Sequence, residues 1–460
     1  MTHKLLIERR GVVSKASSSV IEAKGPPDSF LGQMCKIETA SGFLDAEVIG
    51  FHHDRVMLMP YQAIEGLKIG ATIIASDDLP SITVDEAMIG HVINAFGQKI
   101  TIDLKIANDD HSISNTGQYI TQTGIKQLED IKKHSLSKRL MPLKKPPINP
   151  LNRALINEQC FTGIKIIDSL FPVGKGQRMG IFAGSGVGKS TLLGMIAQTL
   201  CDASDNNSIN VIALIGERGR EVKEFIDSSL GEKGLKNSIV VVATADEPAL
   251  MRVRAAYAAT AIAEYFASSG KEVILTMDSV TRFAMAEREI GLISGEMPTS
   301  RGYTPGVFNV LPRLAERCGN FENGGSITAF YTVLVEGDDF NEPISDHMRA
   351  ILDGHLILTR QLANKGQYPA IDVLQSSSRL ISRLLDTEDQ HLLRLVKSAY
   401  QLVDKYADMV AIGAYKADSN PALDQALIRV EKLNALFVQH QADSINIVEL
   451  RDKLRMIIDD

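Results

Sequence analysis

Apolar, strand-like runs alternate with amphipathic helical stretches from Leu151 to about residue 383. The helical stretches include STLLGMIAQTL and PALMRVRAAYAATAIAEYFASS, and Gly270 follows the second as a typical helix C-cap. This alternation predicts a parallel sheet that is covered by helices on both faces. The predicted strands are RMGIFA (178–183), INVIALI (209–215), SIVVVAT (238–244), EVILTM (272–277) and SITAFYTVLV (326–335).

The regions on either side of this α/β segment show different patterns. Residues 11–96 contain short β runs such as VMLMP (56–60) and ATIIAS (71–76), separated by glycines, a spacing typical of a small barrel or sandwich. After about residue 383, helical periodicity replaces the strand signals. We predict a multidomain chain with an N-terminal β-barrel (1–97), a linker with an insertion (98–150), an α/β domain (151–383) and an all-α domain (384–460).

The composition is that of an ordinary globular protein. Hydrophobic residues make up 44% and charged residues 23%, and 49 Lys+Arg against 56 Asp+Glu give a net charge of −7. This mild acidity disfavours a surface devoted to nucleic acid, so we expect no nucleic-acid partner. The four cysteines are too far apart in sequence for a CxxC pair and indicate reduced thiols; they are Cys35, Cys160, Cys201 and Cys318.

Neither a signal peptide nor a membrane span is expected. Glu8, Arg9 and Arg10 interrupt the apolar run at the N-terminus, which excludes a signal-peptide core there. No stretch approaches the roughly 18 uninterrupted apolar residues that a membrane-spanning helix requires. We therefore predict a cytoplasmic protein.

The segment AGSGVGKS (183–190) fits the phosphate-binding P-loop, with Ala183 where the commoner form has glycine. Its glycines allow consecutive backbone N–H groups to turn inward around an anion, and the helix that follows adds the positive end of its dipole. Lys189 is expected to reach the β- and γ-phosphates of a triphosphate, while the Ser190 hydroxyl is suited to Mg²⁺. The alternative is a glycine-rich turn that binds nothing.

Two carboxylates follow other predicted strands. Asp278 ends VILTM, where a carboxylate can hold Mg²⁺ or one of its waters, although it could instead cap the next helix. Glu217 follows INVIALI and could orient the attacking water, although a surface ion pair with Arg218 or Arg220 would also explain it. Because strand ends of a parallel sheet share one edge, a single site can collect these groups.

Several blocks of the chain resemble one family. They are GIFAGSGVGKST, LIGERGREVKEF, MDSVTRFAMAEREIG, GSITAFYTVLVEGDDFNEPISD and YPAIDVLQSSSR. They are similar to the ATPases of type III protein export, most closely the flagellar branch, and more distantly to the catalytic subunit of rotary ATP synthases. The resemblance implies a RecA-like P-loop domain over 151–383 that hydrolyses ATP with Mg²⁺ to energise export. A virulence-type secretion ATPase and a rotary ATP synthase subunit are the alternatives.

The resemblance also implies roles for individual residues. Glu217 would be the general base, Asp278 and Ser190 would hold the metal, and Arg379 would be an arginine finger that completes a neighbouring subunit's site, which implies a homohexamer. Arg218 and Arg282 match family arginines near the site. Phe437 is a candidate second aromatic beside adenine or a core residue. Nucleotide contacts are implied for Gly184, Ser185, Gly186, Val187, Gly188, Lys189, Ser190, Thr191 and Tyr368, the last as an adenine-stacking aromatic.

The same resemblance implies partners. A central coiled-coil stalk protein would contact the Gly- and Pro-rich loop at 295–308. A peripheral stator-like regulator, an export gate, and substrates with their chaperones would bind elsewhere, at the inner face of the cytoplasmic membrane. The basic residues of the linker indicate either a solvated segment or contact with anionic lipid; they are Lys132, Lys133, Lys138, Arg139, Lys144 and Lys145.

Overall fold

A computed structural model describes residues 8–100, 138–202, 207–322, 324–441, 443 and 446–459. Lys132, Lys133 and most of the predicted insertion lie outside these residues, as does the side chain of Cys201. The described part of the chain contains no helix with both the length and the apolar character that a bilayer-crossing segment needs. The other three cysteines are buried free thiols.

The N-terminal strands close into a six-stranded barrel in the order β1-β2-β5-β4-β3-β6. Alternate residues of these strands point inward, and fully buried Ile21, Ile37, Leu58 and Ile73 fill the interior. The predicted barrel is thus confirmed. Its strands are β1 (Arg10–Ala16), β2 (Ile21–Lys24), β3 (Met34–Thr39), β4 (Gly42–His52), β5 (Arg55–Pro60) and β6 (Thr72–Ala75).

Thirteen further strands follow in the described residues. They are β7 (Ser81–Val84), β8 (His91–Asn94), β9 (Arg139–Pro142), β10 (Gln159–Cys160), β11 (Val173–Gly174), β12 (Arg178–Ala183), β13 (Ser208–Ile215), β14 (Ser238–Ala243), β15 (Glu272–Asp278), β16 (Gly319–Asn320), β17 (Ser326–Leu334), β18 (Gly354–Leu358) and β19 (Ser377–Ser378).

The central domain is a nine-stranded sheet in the order β19-β18-β12-β17-β15-β13-β14-β8, with β16 paired to β17. Seven strands, from β18 to β8, are parallel, whereas β16 and β19 are antiparallel. The parallel sheet predicted from the sequence is confirmed, and each predicted strand ends within about one residue of the observed one. Successive residues of β13 point to opposite faces of the sheet, and both faces are buried: Val211 packs in the core on one face and Ile212 in the core on the other.

Helices cover both faces of the sheet and form the C-terminal domain. They are α1 (Lys165–Leu170), α2 (Lys189–Asp202), α3 (Gly219–Glu224), α4 (Gly231–Lys236), α5 (Ala249–Ser268), α6 (Val280–Ile293), α7 (Pro305–Ala315), α8 (Pro343–Ile351), α9 (Arg360–Asn364), α10 (Ile381–Leu384), α11 (Thr387–Lys405), α12 (Ala407–Ala411), α13 (Pro421–Phe437) and α14 (Ile447–Asp459). A π-helical turn, Phe225–Leu230, joins α3 to α4.

The junction between the barrel and the central domain differs from the predicted boundary at residue 97. Strand β8 pairs in parallel with β14, so residues 91–94 belong to the central sheet. Strand β7 pairs with β9, which brings the two ends of the predicted linker together. This pairing joins segments that are distant in sequence, and local patterning therefore carries no signal for it.

Two lysines of the basic linker make ion pairs with buried carboxylates. Nζ of Lys144 lies 2.9 Å from Oε1 of Glu47 in the barrel, and Nζ of Lys145 lies 3.0 Å from Oε2 of Glu264 in α5. Two consecutive linker residues, Lys144 and Lys145, thus bind the barrel and the central domain respectively. These two lysines therefore have defined partners within the protein, while their side chains remain partly exposed.

Candidate nucleotide site

A cleft of about 670 Å³ opens at the carboxyl ends of the central strands of the sheet. Its floor is built by the segments that follow β12, β13, β15 and β17, as expected for a ligand site in an open α/β sheet. Most of the residues predicted from the sequence line it. They are Gly184, Ser185, Gly186, Gly188, Lys189, Ser190, Thr191, Glu217, Arg218 and Asp278.

The loop between β12 and α2 has the backbone shape of an anion cradle. Gly186 and Gly188 adopt positive φ angles of 79° and 89°, which residues with a side chain rarely reach. Helix α2 begins directly afterwards, at Lys189, so its N-terminal N–H groups and the positive end of its dipole face the cleft. Val187 is buried in the core beneath the loop, so only its backbone faces a ligand.

Lys189 and Asp278 form a close ion pair at the base of the cleft. Lys189 Nζ donates to Oδ1 of Asp278 at 2.5 Å and lies 3.6 Å from Oε1 of Glu217. Burial favours the neutral amine, but the two carboxylates outweigh this effect and raise the pKa of Lys189 above its ordinary value. The lysine therefore stays charged, and it lies within reach of both acidic groups.

Glu217 is a buried acid with an unusual proton affinity. Its side chain is 13% exposed, and burial raises its pKa to about 7; the charge of Lys189 opposes the rise and that of Asp278 adds to it. Its Oε1 atom is shielded from solvent and has no hydrogen-bond partner among the described residues. A carboxylate in this state is suited to accepting a proton near neutral pH.

The residues around the cleft fit a nucleotide with a divalent cation. The loop amides and Lys189 provide donors for phosphate oxygens, while the Ser190 hydroxyl and the Asp278 carboxylate are hard oxygen ligands. Nε of Arg282, on the cleft wall, is shielded from solvent and lacks a hydrogen-bond partner within the described residues. A buried donor of this kind is stabilised when an anion is bound nearby.

Tyr368 lies beside the phosphate loop, outside the cleft lining. A Cβ atom built on Gly188 would lie 3.3 Å from its ring, and the residue is 42% exposed. An exposed ring at the mouth of the cleft is available for stacking on a base. Phe437, the other aromatic considered from the sequence, is 2% exposed and packs in the core, so it offers no such surface.

The predicted arginines differ in position. Arg218 lines the cleft with its side chain 79% exposed, and it lies 3.5 Å from Glu221. Arg379 follows β19, whose Ser378 pairs with Gly354 at the start of β18. Leu358, at the other end of β18, is level with Ala183 at the start of the phosphate loop. The length of β18 therefore separates Arg379 from the phosphate loop by about 13 Å, and Arg379 lies near the edge formed by the amino ends of the parallel strands. It does not line the cleft of its own chain.

Reasoning from the sequence missed Arg360, which lines the cleft, and Thr332, which lies behind the lining in contact with Asp278. Arg360 follows strand β18 and lies 3.6 Å from Asp338, whose carboxylate is packed against Gly184. Thr332 donates a 2.7 Å hydrogen bond to Oδ1 of Asp278. A polar residue after the apolar run HLILT could have identified Arg360, as the same signal identified Asp278. Thr332 lies inside a strand, and the local sequence carries no such signal for it.

Family models match most of the chain. The nucleotide-binding domain of the ATP synthase alpha/beta family matches residues 163–378, and the beta-barrel domain of the same family matches residues 13–77. The C-terminal domain of the EscN ATPase of type III secretion systems matches residues 385–456. The matched segments correspond to the barrel, the nucleotide-binding sheet and the C-terminal helices.

Relatives and solved structures agree with these matches. The flagellum-specific ATP synthase of Bacillus subtilis is 49% identical over 91% of this chain and 88% of its own length. The assembled ATPase EscN of enteropathogenic E. coli has a TM-score of 0.83 at 37% identity, covering 97% of this chain and all of that one. EscN in complex with its central stalk EscO has a TM-score of 0.80 at 36% identity and similar coverage. The chain therefore belongs to the ATP synthase alpha/beta family, in the branch of the type III export ATPases.

Proposed function

We propose that the chain hydrolyses ATP with Mg²⁺ and that this reaction energises protein export by a flagellar type III system. The observation that carries the chemical part is the cluster of Lys189, Asp278 and Glu217 beside the phosphate loop. The identity of 49% with the flagellum-specific ATP synthase of Bacillus subtilis, over 91% of this chain, favours the flagellar assignment.

Each residue of the cluster has a separate task. The loop amides and Lys189 bind the β- and γ-phosphates, so Lys189 turns from Asp278 towards the triphosphate when it binds. Glu217 positions the attacking water and accepts its proton, a role to which its raised pKa is suited. Ser190 and Asp278 would hold Mg²⁺, which neutralises charge on the phosphates when it is bound.

Arg379 acts on the site of a neighbouring subunit. Its position near the sheet edge opposite its own phosphate loop prevents it from reaching its own cleft, whereas an edge position suits contact across a subunit interface. A guanidinium there would stabilise charge on the transferring phosphoryl group. In a ring such as a homohexamer, every subunit provides a nucleotide cleft and also provides Arg379 to the cleft of its neighbour.

The remaining assignments follow from the relatives. EscN has been solved as an assembled ATPase and in complex with its central stalk EscO, which supports a hexamer and a stalk partner for this chain. We propose that this partner is a coiled coil and that it contacts residues 295–308. We propose a stator-like regulator, an export gate and chaperoned substrates as further partners, and a cytoplasmic location at the inner membrane face. Tyr368 would stack on adenine, and Arg218 would approach the phosphates.

Removal of the gene from its own organism tests the function. Loss of flagellar filaments, with filaments restored by the intact gene and not by the Lys189→Ala variant, is the expected result. Loss of effector secretion with normal filaments would assign the protein to a virulence system. ATPase activity that depends on RNA would indicate a nucleic-acid translocase instead.

A further inference from the structure

The carboxylate of Asp278 has a second partner besides Lys189, in the neighbouring strand. The hydroxyl of Thr332 donates to Oδ1 of Asp278 at 2.7 Å and lies 3.3 Å from the carbonyl oxygen of Met277. Thr332 is completely buried, and Asp278 is 3% exposed. A hydrogen bond to an ionised group in such surroundings is stronger than one between neutral groups.

The sheet fixes this contact. Tyr331 of β17 is level with Met277 of β15, so the next residues, Thr332 and Asp278, are neighbours across the two strands. On its other side β17 pairs with β12, where Thr332 is level with Ile181. Because β17 is flanked by strands on both sides, the threonine has little freedom to move away from the carboxylate.

Both hydrogen bonds that the described residues make to this carboxylate end on the same oxygen. Lys189 Nζ and the Thr332 hydroxyl each donate to Oδ1. This leaves Oδ2 as the oxygen that can face a ligand. The Thr332 contact comes from the sheet, whereas Lys189 comes from the phosphate loop and is needed by the phosphates.

We propose that Thr332 is a positioning residue that fixes Asp278 for Mg²⁺ binding and keeps its carboxylate hydrogen-bonded when Lys189 turns to the triphosphate. This inference rests on the proposed ATPase function. A buried carboxylate that loses its cationic partner is strongly destabilised unless other groups compensate. The hydrogen bond from Thr332 stabilises the Asp278 carboxylate whether or not a nucleotide is bound, because Thr332 is fixed in the sheet.

The test compares Thr332→Val, which keeps the shape and removes the hydroxyl, with Thr332→Ser, which keeps the hydroxyl. Binding of fluorescent N-methylanthraniloyl ADP is titrated with MgCl₂ and is measured separately in EDTA. Loss of a hydrogen bond to a metal-binding carboxylate typically lowers the affinity for the metal. We therefore expect the Mg²⁺ concentration for half-maximal binding to rise about ten- to hundredfold in Thr332→Val. Binding in EDTA should be unchanged, and Thr332→Ser should resemble the unsubstituted protein.

Thr328→Val is the matched control, because Thr328 is a buried threonine of the same strand whose hydroxyl accepts a hydrogen bond from the N–H of Gly176, far from the cleft. An equal shift in Thr328→Val, an unchanged Mg²⁺ requirement in Thr332→Val, or an equal loss of binding in EDTA would each overturn the proposal. If the unsubstituted protein bound no nucleotide, the proposed function itself would fail. Normal nucleotide binding with no effect of Thr332→Val would reject only the positioning role.

Discussion

Nζ of Lys189 lies 2.5 Å from Oδ1 of Asp278, and both side chains are almost completely shielded from solvent. Each is the principal countercharge of the other. Replacing Lys189 by Ala leaves a buried carboxylate without its cation, so we expect the free energy of unfolding of the nucleotide-free protein to fall by about 3 kcal/mol. ATP hydrolysis should also be abolished. Urea denaturation and a phosphate-release assay measure the two effects.

The double variant Lys189→Ala, Asp278→Asn is the control for this prediction. It removes both charges, so its loss of stability should be clearly smaller than that of Lys189→Ala, although it too should be inactive. Equal destabilisation of the two variants would mean that the lysine stabilises the fold through its packing and not through its charge.

The raised pKa of Glu217 predicts a pH-dependent rate. Burial raises this pKa to about 7, so below that pH the free enzyme carries a protonated carboxyl that cannot accept a proton from water. We expect kcat/KM for ATP to fall by about tenfold per pH unit on the acidic side. Steady-state assays between about pH 5.5 and pH 8 measure this limb.

Glu217→Gln separates the chemistry from binding. The amide cannot act as a base but keeps the shape, so hydrolysis should be lost while the affinity for ADP is largely retained. Binding of ADP by the unsubstituted protein over the same pH range serves as the control for the acidic limb. Full steady-state activity in Glu217→Gln would remove this residue from the role of base.

The sequence predicted the parts of the fold whose signal is local. Each of the five predicted strands of the sheet is a mostly apolar run, and the phosphate loop, Glu217 and Asp278 lie at or just after the ends of such runs. The range predicted for the barrel, 1–97, includes strand β8, whose partner β14 in the central sheet lies well over a hundred residues later in the sequence. The strand β18 was not predicted, because it is short and begins with Gly354 and His355.

The same distinction applies to the site. Motif residues such as Lys189 could be placed from the sequence alone, since a strand, a glycine loop and a helix occur in succession. The hydroxyl of Thr332 and the contact of Tyr368 with the phosphate loop depend on how distant segments pack. Sequence spacing gives no measure of such distances.

Tyr368 should contribute to binding of the base and not of the phosphates. Its exposed ring lies beside Gly188, so Tyr368→Ala should raise the Kd for ADP by about tenfold, the usual scale for loss of one aromatic stacking contact. Tyr368→Phe should retain the affinity, because the ring remains. Calorimetric titration measures both.

Pyrophosphate provides the control ligand for this prediction, because it occupies the phosphate loop without a base. Its affinity should be the same in Tyr368→Ala as in the unsubstituted protein. If pyrophosphate binding weakened as much as ADP binding, the ring would support the loop around Gly188 instead of stacking on adenine.

The buried pair of Arg317 and Glu264 should dominate the stability of the junction between linker and sheet. The guanidinium of Arg317 is 1% exposed and donates to both carboxylate oxygens of Glu264, at 2.9 Å and 2.7 Å. Glu264→Ala leaves this cation unpaired, so we expect a loss of about 3–5 kcal/mol in the free energy of unfolding. Lys145→Ala removes a more exposed partner of Glu264 and should cost about 1 kcal/mol or less.

Urea denaturation of Glu264→Ala beside the double variant Glu264→Ala, Arg317→Met tests this assignment. The double variant replaces the unpaired cation with an apolar side chain, so it should regain part of the lost stability. A double variant that is less stable than Glu264→Ala would show that Arg317 stabilises the fold mainly through its bond to the carbonyl oxygen of Leu143.

Arg379 should complement in trans. Arg379→Ala subunits keep an intact nucleotide cleft, and Lys189→Ala subunits keep an intact Arg379, so each variant alone is inactive but a mixed ring contains interfaces with both groups. In a random equal mixture, a cleft with its own Lys189 meets a neighbour's Arg379 at about a quarter of the interfaces, and phosphate release should recover towards that fraction. Size-exclusion chromatography with light scattering checks that both variants assemble and exchange subunits. A correctly assembled mixture that stays inactive would exclude a shared reaction centre.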